Sequence, residues 1–166
     1  MIPDKPMMDR CRWLGLAIGV ALADQGVKHW IVATFPLGTG ATVLPFFNLV
    51  HILNSGAAFS FLADAGGWQR YAFIALALAV SGGLSVMLLK GVANRWESWG
   101  YSLLLGGAVG NLIDRLFQGA VVDYLDFHAG AWHWPAFNLA DTALCLSAVI
   151  LLWGALLSSA QSKATL

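Results

Sequence analysis

The sequence predicts an all-α membrane protein: a four-transmembrane-helix bundle with a small β-rich platform and a second loop or short helix on the periplasmic side. Two compositional observations carry this. Hydrophobic residues make up 58% of the 166-residue chain and charged residues only 11%, where soluble domains average roughly 25% charged. Mean hydropathy is +0.70. The third observation is spacing. Apolar runs comparable to the roughly 20 residues that cross a bilayer as a helix recur along the whole chain. No repeat, low-complexity tract or linker divides them, so residues 1–166 read as one domain.

The spans fall at about 13–33, 71–89, 99–113 and 137–157. The first is interrupted by Asp24 and Lys28, the second is free of charge, the third is shorter and Gly-rich, and the fourth carries Asp141 near its start. Backbone groups in lipid must bond within their own segment, so these runs should be helical. The apolar run after Arg10 and Arg12 is longer than the roughly 7–15 residues of a signal-peptide core, which makes it a retained span.

Basic residues set the orientation. Lys5, Arg10 and Arg12 precede the first span, Lys90 and Arg95 separate the second and third, and Lys163 follows the fourth. An even number of crossings puts these regions together in the cytoplasm, with both termini. The outer stretches are then 34–70 and 116–136. In the first, Thr42–Leu44 and Phe46–Leu53 are rich in β-branched and aromatic residues punctuated by Pro36, Gly38, Gly40 and Pro45, the pattern of a strand platform. Trp68, Trp132 and Trp134 suit an aromatic belt at that interface.

On this topology the polar residues collect in one leaflet. Asp24 and Lys28 fall in the outer half of the first span, and Asn111, Asp114 and Arg115 at the outer end of the third. Asn138 and Asp141 open the fourth, while Asn54 and Asp123 occupy the outer loops. A wet cavity opening outward accounts for the convergence, and ionisable groups inside a membrane point to function. Asp123 and Asp141 stand out. If folding brings them together, one holds a proton while the other is charged, which is what activating a water and protonating a leaving group requires. Asn138 suits an N-cap, with Asp141 in the first turn where the helix dipole favours its ionised form. Asp123 should therefore carry more of the proton.

Quieter readings stand beside these. Asp24 and Lys28 are spaced as a helical ion pair. Gly15-xxx-Gly19 and Gly106-xxx-Gly110 are packing patterns. Gly107, Asn111 and Arg115 share one face of the third span, with Arg115 either an interface anchor or a holder of a phosphate or carboxylate. The segment Asn54–Phe59 reads as a turn. Asp126, His128 and His133 are the best metal-ligand set, although no metalloprotease spacing supports them. Cys11 and Cys145 form no disulfide or CxxC framework, and Cys145 is expected to be buried in the fourth span. Nine Lys+Arg balance nine Asp+Glu, which gives no signal for nucleic acid. A small proton- or ion-coupled transporter is the alternative reading, though it calls for polar residues in both leaflets.

Five motifs then carry a resemblance: Asp24-Gln25-x-x-Lys28, Asn54-x-Gly56-Ala57-Ala58-Phe59, Gly106-Gly107-Ala108-x-Gly110-Asn111-Leu112-x-Asp114-Arg115, Val121-Val122-Asp123-Tyr124 and Phe137-Asn138-x-Ala140-Asp141. In this order the sequence resembles bacterial lipoprotein signal peptidase (signal peptidase II) over nearly its whole length. Ser60, where many members have Gly, is a small departure. The resemblance implies an intramembrane aspartyl endopeptidase of the inner membrane, with Asp123 and Asp141 as its catalytic dyad. Asn54, Gly107, Asn111, Arg115, Asn138 and Ala140 would line the pocket, supported by Asp24 and Lys28. It implies cleavage just before a diacylglyceryl-modified Cys in prolipoproteins, a monomer working in membrane lipid, inhibition by globomycin, and no metal or other cofactor.

Overall fold

A computed structural model describes residues 7–56, 66–92 and 94–164, except the side chains of 7–10 and 160–164. The described chain is mostly helical: α1 (Met7–Thr34), α2 (Trp68–Lys90), α3 (Arg95–Phe117) and α4 (Leu139–Ala164), with four strands, β1 (Gly40–Leu44), β2 (Phe47–Asn54), β3 (Val121–Ala129) and β4 (Trp132–His133). The sheet is antiparallel, in the order β1-β2-β3-β4.

Two helices are long and apolar enough to cross a membrane, over Trp68–Lys90 and Leu139–Ser159. Their surroundings distinguish them from core helices. Only 11% and 17% of these stretches are buried, and Leu76, Leu78, Val86, Leu152, Trp153 and Leu156 project outward. Apolar surface on this scale marks a face that meets lipid or another apolar partner. Helix α1 is long enough, about 42 Å at 1.5 Å per residue, but it carries buried Asp24 and Lys28.

The helices pack through a cluster of Ala17, Leu84, Leu88 and Leu105, flanked by Trp13, Leu14, Val80 and Tyr101. Gly106 and Gly107 permit close approach at two other contacts: a Cβ on Gly106 would lie 2.7 Å from the Ala17 carbonyl oxygen, and one on Gly107 2.6 Å from that of Ala140. Gly15 and Gly19, expected to pack similarly, face open space. A second cluster of Ile31, Val122 and Tyr124, with Val27, Leu49 and Leu139 against it, joins the sheet to the helices.

The second outer stretch differs from the expected loop or short helix. It forms β3, which pairs with β2 through Leu53↔Val122 and Ile52↔Asp123 and completes the sheet begun in the first outer stretch. The physical reason lies in Val121-Val122-Asp123-Tyr124-Leu125: branched and aromatic side chains suit a pleated, buried surface. Part of the turn expected at Asn54–Phe59 lies outside the described residues, since 57–65 are not described. Helix α4 begins at Leu139 rather than 137, because Phe137 is still pinned to β3. Its carbonyl accepts the N–H groups of Tyr124 and Leu125, and its own N–H donates to the Leu125 carbonyl. Cys145, expected to be buried, is exposed on α4.

Helix α3 ends in a turn that delivers the chain to β3. Gln118 and Gly119 both donate N–H bonds to the Asp114 carbonyl, and Gly119 takes a φ of 83°, as a C-terminal glycine often does. The Arg70 side chain donates to the next two carbonyls, Arg115 at 2.8 Å and Leu116 at 2.9 Å.

Candidate active site

The site assembles where the end of α3, the start of β3 and the start of α4 meet above α1. At its base lies Lys28, 1% exposed. Its ammonium sits 2.7 Å from Asp24 Oδ2 and 2.8 Å from Asp114 Oδ2, and donates to Asn111 Oδ1 at 2.9 Å. An ammonium has three N–H donors, and these three acceptors match them. The carboxylates also use their remaining capacity. Asp24 Oδ1 accepts the Ala140 N–H at 2.9 Å. Asp114 accepts the Gln25 side-chain amide at 2.8 Å and the Val122 N–H at 3.0 Å. One buried network therefore ties α1 to α3, β3 and α4. The ion pair anticipated between Asp24 and Lys28 is part of a larger unit.

Above it, Asn138 caps α4. Its Oδ1 accepts the Asp141 N–H at 2.8 Å, and Asp141 Oδ2 accepts the Asn138 N–H at 3.3 Å. This is a reciprocal capping box, built here with Asn and Asp. The same asparagine reaches β3, where its Nδ2 donates to Asp123 Oδ1 at 2.7 Å. Asn111 completes the arrangement by donating to Asp141 Oδ1 at 2.8 Å. Asn54, at the end of β2, donates to Asp123 Oδ2 at 3.0 Å. The two aspartates are thus gathered by three asparagines from three different elements.

Asp123 is 2% exposed. Burial, and then the charge of nearby Asp141, raise its pKa to about 7, since both disfavour the ionised form. Tyr124, whose hydroxyl accepts the Leu139 N–H at 3.0 Å, is raised to about 12, chiefly by burial. It stays neutral around pH 7.

Arg115 donates to the Gly56 carbonyl at 2.9 Å and stacks over Phe73 at 4.9 Å. Gly56 in turn donates its N–H to Asn54 Oδ1 at 3.0 Å, so Arg115 fixes the turn that carries Asn54. Gly107 and Ala140 contribute close backbone packing: Ala140 is fully buried and lies against Gly107. The set Asp126, His128 and His133 forms a separate cluster on the sheet. His133 Nδ1–H donates to Asp126 at 2.8 Å, Asn48 donates to the same carboxylate at 2.8 Å, and the two histidine rings stack at 5.0 Å. Among the described residues no group of three His, Cys, Asp or Glu is arranged to hold a metal.

Gln25, Asp114 and Tyr124 also join the site, in roles that sequence spacing does not assign. Asp114 had a legible signal. It is an acid three residues beyond Asn111, on a helix whose neighbour supplies a lysine at the same depth.

Fold and site together define a helical protein with two helices apolar enough to cross a membrane and a pair of carboxylates gathered where helices and sheet meet. A solved bacterial membrane enzyme superposes with a TM-score of 0.80 at 28% identity, covering 90% of each chain. The chain belongs to the signal peptidase II family, whose model matches residues 16–157. Lipoprotein signal peptidases of Yersinia enterocolitica (44% identical over 92% of this chain and 91% of that one) and Burkholderia pseudomallei (51% identical over 85% of each) are among its relatives. Its activity is accordingly that of a peptidase that removes signal peptides from prolipoproteins.

Proposed function

We propose that the chain is an aspartyl endopeptidase with Asp123 and Asp141 as its dyad, cleaving prolipoproteins just before a diacylglyceryl-modified Cys. The observation that carries this reading is the sharing of Asn138, whose side chain donates to Asp123 while its backbone N–H donates to Asp141. Such an arrangement holds both carboxylates toward one reacting group.

The chemistry follows from their unequal surroundings. Asp123, titrating near 7, keeps its proton in a large fraction of molecules in neutral solution, where an ordinary aspartate would be almost wholly ionised. Asp141 lies in the first turn of α4, where the helix N-terminus favours negative charge. Asp141 takes a proton from a water whose oxygen attacks the scissile carbonyl carbon, and Asp123 gives its proton to the carbonyl oxygen. Collapse of the tetrahedral intermediate breaks the C–N bond as a proton passes to the departing amine. Asn111, Asn138 and Asn54 position the two acids, Arg115 holds the turn bearing Asn54, and Asp24 and Lys28 support the floor. Gly107 and Ala140 let α3 and α4 close beneath it.

All four helices cross the inner membrane on this reading, with both termini in the cytoplasm and the sheet on the periplasmic side. Lys90 at the end of α2 and Arg95 at the start of α3 support that orientation. The acyl chains of the substrate remain in lipid while the peptide enters from the sheet side. The protein acts as a monomer without a cofactor, and globomycin blocks it at the dyad.

A gel shift of a diacylglyceryl-modified precursor, incubated with the purified protein in detergent, tests the reading. Cleavage is expected to resist a chelator and to stop with globomycin. Asp123→Asn and Asp141→Asn should each fold and lose about 10³-fold or more in turnover. Near-normal processing by either variant rejects the dyad.

A further inference from the structure

We propose that a cavity at the opposite end of the bundle from the dyad binds the headgroup of an anionic glycerophospholipid of the cytoplasmic leaflet. It has a volume of about 550 Å³ and is lined by Arg12, Trp13, Leu16, Arg95 and Trp99. Helices α1 and α3 run side by side in the same direction, since Ala17 lies against Gly106 and Asp24 against Gly110. Their N-terminal ends therefore meet, and the cavity opens between them, about 18 Å along α3 from Asn111 at 1.5 Å per residue.

The lining has the chemistry of a phosphate diester joined to an apolar tail. Arg12 and Arg95 bring two guanidinium groups, which pair with phosphate oxygens through two parallel N–H bonds. No acidic side chain is among the described residues that line the cavity. Glu97 is two positions from Arg95, off the face shared by Arg95 and Trp99. The start of α3 adds the partial positive charge of a helix N-terminus. Trp13 and Trp99 meet edge to face at 5.3 Å, and Arg12 lies over the Trp13 ring at 4.9 Å. Tryptophan side chains favour the level of lipid headgroups, and Leu16 continues the lining toward the acyl region. Charge complementarity thus selects an anionic lipid over a zwitterionic one. Placing the cavity in the cytoplasmic leaflet rests on the topology proposed above.

Native mass spectrometry of the full chain, released from micelles holding equimolar phosphatidylglycerol and phosphatidylethanolamine, tests the site. Preferential retention of phosphatidylglycerol is expected, with each of Arg12→Gln and Arg95→Gln lowering the preference about fivefold. The paired Arg12→Lys/Arg95→Lys variant keeps the charge and should keep most of the preference. Equal retention of the two lipids by the parent protein overturns the proposal, as does an unchanged preference in both glutamine variants. Displacement of the bound lipid by millimolar inorganic phosphate would also overturn it, making the site one for free phosphate. Cleavage of lipidated precursor by the same preparations separates the two readings. Cleavage without lipid preference sinks only the lipid site, and lipid preference without cleavage sinks only the dyad. Neither arginine lies in the catalytic machinery, so both glutamine variants should cleave in detergent at the parent rate.

Discussion

The carboxylate of Asp24 accepts the backbone N–H of Ala140 at 2.9 Å, so a side chain of α1 satisfies an otherwise unpaired donor in the first turn of α4. Ala140 is the residue before Asp141. Asp24 also binds Lys28, and Lys28 binds Asn111, which donates to Asp141. The first helix thus positions the second aspartate by two routes, through its backbone and through its side chain.

Removing Lys28 should therefore cost more than one ion pair. Lys28→Met strands Asp24 and Asp114, both fully buried, and breaking a buried pair in this way costs about 3–5 kcal/mol. Thermal unfolding in detergent should show a large drop in midpoint for Lys28→Met. Adding Asp24→Asn and Asp114→Asn should recover part of it, because no unpaired charge then remains. A midpoint matching the parent in Lys28→Met would contradict the network.

The pH dependence follows from Asp123. Its folded pKa of about 7 lies above the ordinary aspartate value of about 3.9. On the proposed mechanism it protonates the carbonyl oxygen, so it should impose an upper limb on kcat/KM, with cleavage falling as pH rises through about 7. Stability should follow the same sign. A raised carboxylate pKa means the folded state binds the proton more tightly. The contribution is fully present below about pH 4 and is lost as pH rises through 7. Asp123→Asn should abolish this slope and unfold at a higher temperature than the parent at pH 8. An identical melting profile from pH 5 to 8 in the two proteins would count against a proton on Asp123.

Gly110→Ala offers a sharper packing test. Its Cβ would lie 2.6 Å from Asp24 Oδ2, the oxygen that holds Lys28. Destabilisation of about 1–3 kcal/mol is expected from such overpacking, together with reduced turnover. Gly15→Ala, where a Cβ meets open space, serves as the control and should be neutral or slightly stabilising. Equal unfolding midpoints for the two variants would refute the difference.

Arg115→Lys keeps a positive charge near the site but replaces the planar fork that reaches both Gly56 and Asn111. Because Gly56 is joined to Asn54, the loss should appear as a lower kcat, with little change in the melting midpoint. Steady-state cleavage of a lipidated precursor, compared with Asn54→Ala, checks this. Matching defects in the two variants place Arg115 behind Asn54, and an Arg115→Lys enzyme with parent kinetics removes it from the site.

Much of this was legible before folding. The apolar runs were visible because a span needs length and little else. The capping role of Asn138 followed from its place before an apolar run. The convergence of Asp24, Asn111 and Asp141 followed from counting crossings. Strand β3 was harder to see, because it pairs with β2 from Asn54↔Val121 to Phe47↔Phe127, far apart in the chain, and short strands leave weak local patterns. The part played by Asp114 was legible only as an acid at the depth of Lys28, and its full set of contacts was not. Its partners Lys28, Gln25 and Val122 come from two other elements, and no spacing within α3 announces them. The two glycine pairs read alike in sequence, yet only Gly106 and Gly110 face a neighbour.

Phe137 is fastened to β3 while α4 begins only two residues later, which leaves almost no slack between sheet and helix. Any sliding of α4 along the membrane normal is therefore passed to β3 through Phe137 and loads the Asn138 contacts that hold Asp123 and Asp141. Host membranes with shorter or longer acyl chains should thus tune turnover through hydrophobic mismatch alone, even with an unchanged substrate.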